Sequence, residues 1–106
     1  MQELPIDFTL ENGIATYNQF IEGKLDSIIV ISTNKCSVTL QSQYGYTLFH
    51  TSEHEGSKYY APRAVLQKSQ AHLTTQAQFD KFSVNEELEL TVQGQDKEMQ
   101  VILRFE

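Results

Sequence analysis

Tryptophan is absent from this chain of 106 residues, cysteine occurs once and proline twice. A single cysteine, Cys36, excludes an internal disulfide, so burial and hydrogen bonding must hold the fold together, and a reducing compartment suits it. Positive charge is scarce: eight Lys and Arg stand against 14 Asp and Glu, for a net charge of −6. The eight are scattered, without a run or stripe. That speaks against direct binding to nucleic acid, which needs clustered cations, and against an anionic membrane surface. The longest apolar run is "IIVI", residues 28 to 31, far short of the roughly 20 residues of a membrane-spanning helix. The opening "MQELPIDF" has no basic stretch followed by an apolar one, so no signal peptide is expected there. Glycine-rich phosphate loops, G-x-S-x-G elbows, internal repeats and low-complexity tracts are also missing.

What remains is one domain's worth of chain, residues 1 to 106, rich in Gln, Ser and Thr. Such a composition suits a sheet with one face in a core and one in water. Ile6, Phe8 and Leu10 alternate with polar residues and predict a strand. Asn12-Gly13 is a strong two-residue hairpin signal, and a second strand is expected from about Ile14 to Ile21, punctuated by Gly23. "KLDSIIVIST" carries four consecutive β-branched residues and predicts a central strand covered on both faces. Asn34-Lys35 reads as a turn and "CSVTLQS" as an alternating strand, with Cys36 a small buried apolar residue. "YGYTLFHT" predicts another strand, "SEHEGS" a loop, and "KYYAPRAVL" an extended segment. There Pro62 signals an edge or a change of sheet. Residues 67 to 83 favour an edge strand near Ala71–Thr75 followed by a loop, over a short helix. Leu88, Leu90 and Val92, then Met99, Val101, Leu103 and Phe105, predict a C-terminal hairpin turning at Gly94–Lys97. The expected fold is all-β: a single-domain antiparallel β-sandwich of about seven or eight strands with Greek-key-like links.

The densest chemistry lies in Tyr44–Ala64, which holds four of the five tyrosines and two of the three histidines. His50, Glu53, His54 and Glu55 raise a metal-dependent enzyme as a remote alternative. Their order differs from H-E-x-x-H, the flanks are strand and loop, and the residues read as a solvated turn. No metal site is expected. His72 is remote in sequence from this cluster. Glu86-Glu87 reads as a charged strand start on the surface, and no carboxylate pair or nucleophilic triad is marked out. No catalytic residue and no cofactor is expected. Tyr44 and Tyr46 share one face of their expected strand and form a possible glycan platform, the basis of a carbohydrate-recognition alternative. Tyr59 and Tyr60 point to opposite faces.

Three segments carry a family resemblance: Gly45, Tyr46, Leu48 and Phe49; then Lys58 to Arg63; then Lys81, Phe82, Asn85, Glu86, Leu88, Leu90, Val92 and Gly94. Over roughly residues 25 to 106 the chain resembles small β-rich virion proteins of tailed bacteriophages, of the head–tail connection or neck type. The resemblance implies a non-enzymatic structural role in a particle assembled in bacterial cytoplasm. Its implied partners are other virion proteins in a ring-like homo-oligomer. Tyr59, Tyr60 and Arg63 are the expected interface residues, because Tyr and Arg are enriched at interface cores and Pro62 stiffens the backbone that presents Arg63.

Overall fold

The computed structural model describes residues 1–66 and 78–106. All the regular structure in them is strand: β1 (Gln2–Thr9), β2 (Ile14–Ser42), β3 (Thr47–Tyr60), β4 (Ala64–Leu66), β5 (Gln78–Asp80), β6 (Phe82–Gly94) and β7 (Glu98–Phe105). Five strands form one antiparallel sheet in the order β1-β7-β2-β3, with β6 also paired to β2; β4 and β5 form a separate two-stranded sheet. The all-β, antiparallel expectation holds. The strand or helix expected near Ala71–Thr75 lies outside the described residues.

The long strand β2 organises the molecule. Three strands expected from sequence are one element of 29 residues. Its first stretch, Ile14–Leu25, pairs with β6, its middle, Leu25–Ile31, with β7, and its last, Cys36–Ser42, again with β6 but on the opposite edge of that strand. Strand β3 runs alongside its middle and last stretches. Neither Gly23 nor Asn34-Lys35 ends the strand; each lets it bend. At Gly23, with φ of +143°, an added Cβ would run into the carbonyl of Glu106, so glycine permits the C-terminus to approach. There Lys24 and Glu106 exchange backbone hydrogen bonds of 2.9 and 2.8 Å. At the second bend Asp96 takes the place of a ladder partner. Its carboxylate accepts from the N–H of Thr33 at 2.6 Å, the N–H of Asn34 at 2.9 Å and the Asn34 side-chain amide at 2.7 Å. The Thr33 bond, above all, holds the Asp96 carboxyl below its ordinary value.

Two expected hairpins are corrected. Asn12 and Gly13 both take positive φ, 54° and 80°, and Glu11 and Ile14 exchange bonds of 3.1 and 3.2 Å across them. The tight turn forms, yet the flanking strands part: β1 goes to β7 and β2 to β6. Likewise β6 and β7 are not partners. Both edges of β6 are occupied by β2, and the edges of β7 are taken by β1 and β2. The two turns instead bond to each other, Leu10 N–H to Lys97 O at 2.9 Å and Gly94 N–H to Gly13 O at 3.0 Å. A local signal fixes a turn; it does not choose the strand that competes best for an edge.

The "SEHEGS" loop is also corrected: β3 continues through it to Tyr60, with a jump in its pairing to β2 between Ser32 and Cys36. After Tyr60 the chain passes Pro62 and enters the other sheet, the change of sheet that proline signals.

One cluster of buried side chains runs under the five-stranded sheet, from Ile6 and Phe8 on β1 through Ile28, Val30, Val38 and Leu40 on β2 to Leu88, Leu90 and Val92 on β6 and Val101 and Leu103 on β7. Cys36 lies in it, and burial pushes its thiol upward in pKa, as suits a packing residue. In the "IIVI" run only Ile28 and Val30 are fully enclosed; Ile29 is half-buried and Ile31 is 37% exposed. The run is central in hydrogen bonding but enclosed on one face only among the described residues.

Candidate interaction surface

The Tyr44–Ala64 stretch divides into parts with different jobs. Tyr44 and Tyr46 sit in the turn between β2 and β3, so the shared strand face expected for them is not formed. Tyr44 is 73% exposed. Its N–H donates to Ser42 Oγ at 3.0 Å. Tyr46 is tied down: its hydroxyl and that of Ser42 both donate to the carboxylate of Glu86. Glu86, expected on the surface, is buried. The hydrogen bond to Glu86 raises the pKa of the Tyr46 phenol, because losing the proton would set two anions side by side. Strand parity is the signal that carries this burial. Val84, Glu86, Leu88, Leu90 and Val92 are successive inward positions of β6, so a carboxylate in that series must meet donors.

His54 is corrected in the same way, from loop to core. It is 1% exposed. The Gly56 carbonyl, 2.6 Å from Nε2, can only accept, so Nε2 carries a proton. The Tyr60 hydroxyl shares a hydrogen bond of 2.7 Å with Nδ1. Tyr60 packs its ring on Phe49 at 4.9 Å between centroids. His50 is exposed and bonds Thr39 Oγ1 at 2.8 Å. The two histidines therefore lie in different environments. No group of three or more His, Cys, Asp or Glu among the described residues is placed to hold a metal.

The expected interface residues separate. Tyr59 stands out from the sheet, 57% exposed, while Tyr60 closes the core from the other side. Arg63 is committed internally. It donates to the carbonyls of Asp26 and Pro62, both at 2.8 Å, and stands 3.9 Å from the Asp26 carboxylate. Lys81 joins the same carboxylate at 3.0 Å and also pairs with Glu106. Lys81 holds the Asp26 carboxyl below its ordinary value, and Glu106, then Asp26, raise the Lys81 ammonium. This group pins the chain where it leaves for β4 and where it returns from β5. No signal in sequence paired Asp26 with residues 37 and 55 positions away.

The outward side of the sheet has two textures. Across β2, β6, β2 and β3, cross-strand partners form polar rows: Thr16, Thr91, Thr39 and His50; then Asn18, Glu89, Gln41 and Thr47. A shallow depression lies here, lined by Asn18, Gln41, Gln43, Glu87 and Glu89 and bordered by the Tyr44 turn. Across β1, β7, β2 and β3 the partners are Pro5, Ile102, Ile29 and Tyr59. Directly opposed residues of an antiparallel pair share a face, so these four make one apolar row. No family model, no curated protein and no solved structure matches this chain.

Proposed function

We propose that this chain is a non-enzymatic structural protein of a bacteriophage particle, packing against neighbouring virion proteins at the head–tail connection or on the capsid, within a ring-like homo-oligomer. The observation that supports this most is Tyr59. An aromatic 57% exposed on a paired strand, in register with Ile29, offers a rigid apolar contact that loses little entropy on docking. The resemblance over Lys58–Arg63 points the same way. In this reading the fold is a two-layered β-sandwich, with β2 contributing segments to both layers over their common core.

Sedimented particles from producing cells, quantified by peptide mass spectrometry, test the proposal. A fixed, salt-stable ratio to a major capsid protein is expected, and a strong drop in incorporation for Tyr59→Ala. Absence from particles overturns it.

A second reading is a carbohydrate-recognition module. It is favoured by exposed Tyr44 beside a depression lined by three amides and two glutamates, groups suited to sugar hydroxyls and a sugar face. A glycan array decides: a signal abolished by Tyr44→Ala and Tyr46→Ala selects this reading.

A further inference from the structure

The apolar row Pro5–Ile102–Ile29–Tyr59 has neighbours of defined charge. The adjacent row is Asp7, Gln100, Ile31 and Ser57, in which Ile31 is 37% exposed and Gln100 donates to Asp7 at 3.0 Å. A groove beside it is lined by Ile31, Asp7, Thr33, Glu98 and Gln100. On the other flank Glu3 and Arg104 are partners. The face is thus an aliphatic and aromatic stripe with three carboxylates, Glu3, Asp7 and Glu98, along its β1 and β7 side. Arg104 is the one cation in these rows.

We propose that this face docks a partner protein presenting aliphatic side chains flanked by lysine or arginine. The inference rests on the reading above that the chain works by protein–protein contact, and it names the surface and the partner's chemistry. Two copies joined through this same face would bring two acidic rims together, in molecules each carrying −6. A basic partner instead neutralises the rim and is steered toward it. The stripe supplies the apolar contact through exposed Pro5 and Tyr59 and the half-buried Ile29 and Ile102 between them.

The test uses purified full chain and three synthetic 12-residue peptides: alternating Lys and Ile with Thr, the same with Glu for Lys, and the same as the first with Ser for Ile. Amide resonances are followed by two-dimensional NMR. The expected result is saturable binding of the Lys–Ile peptide, with shifts confined to Tyr59, Ile29, Ile31, Gln100 and Ile102. Binding weakens about tenfold in Asp7→Lys/Glu98→Lys, two exposed positions where the fold survives, checked by an unchanged Tm. Equal binding of the Glu or Ser peptides overturns the proposal, as do shifts elsewhere or no binding. A concentration-dependent dimer whose shifts map to this face also overturns it, in favour of a second copy. The particle assay separates this proposal from the reading it rests on. Peptide binding without incorporation into particles removes the virion role and keeps the face. Incorporation without peptide binding does the reverse.

Discussion

The two outward textures of the sheet lie along the same strand. Where β2 runs between β6 and β3, its outward residues are Ser37, Thr39 and Gln41; on its first stretch they are Thr16 and Asn18, flanked by exposed Ile14 and Phe20; where it runs between β7 and β3, they are Ile29 and Ile31. Strand parity is unbroken through Ser27–Ile31 and through Cys36–Ser42, after a break between Leu25 and Ser27, and the inward residues Ile28, Val30, Val38 and Leu40 are apolar in both. The two surfaces, one mostly polar and one mostly apolar, are separated by a bend that Asp96 holds. Pro5, Ile102, Ile29 and Tyr59 in cross-strand register form one apolar patch, with Pro5 and Tyr59 exposed and the two isoleucines half-buried.

The largest effect should come from the core beneath the polar texture. Leu90→Ala empties a fully buried site and should cost about 3 kcal/mol. Its outward neighbour Thr91→Ala should stay within about 0.5 kcal/mol. Chemical denaturation of both variants checks this; equal losses would mean the inward–outward division is misplaced.

Next comes the bend between the two textures. Asp96→Ala leaves the N–H groups of Thr33 and Asn34 without acceptors and should cost about 2 kcal/mol. The carboxyl is held below its ordinary value in the fold. Its contribution is therefore present above the unfolded value of about 3.9 and is lost as pH falls through that value toward the folded one. The stability gap between the native chain and Asp96→Asn should narrow as acid is added. A gap that widens in acid would refute the assignment.

A smaller effect is expected at the turn. Tyr46→Phe removes one donor to buried Glu86 while Ser42 remains, for about 1 kcal/mol. Because the folded phenol is raised, its contribution is intact below its unfolded value of about 10 and lost as pH rises above it. Ultraviolet titration should find a late-ionising phenol that vanishes in the variant.

The smallest change in stability should follow Tyr59→Ala and Ile31→Thr, each within about 0.5 kcal/mol. Thermal melting checks it. A large loss in either would place the apolar row in the fold's own packing and erase the comparison.

Much of this was legible in sequence, because it depends on parity and local turn chemistry. Alternation in Ile6–Phe8, Leu88–Val92 and Met99–Leu103 located strands and their inward residues. Asn12-Gly13 located a tight turn, and Pro62 the change of sheet. Glu86 was legible too, since it falls in the inward series of Val84 and Leu88, although a carboxylate is ordinarily a surface group. His54 was less so, because the pattern in "SEHEGS" is polar throughout.

The sequence alone determined that this chain is all-β, which residues face inward on its regular strands, and that its charge is acidic and unclustered. These follow from period-two patterning and composition, which each residue carries with it. Tertiary structure decided which strands pair, since β6 and β7 are neighbours in sequence but β2 claims both edges of β6. It decided that Arg63 and Lys81 meet at Asp26, and that Pro5, Ile102, Ile29 and Tyr59 stand in one row. Pairing is a competition for edges across the whole chain, and a row exists only once register is set.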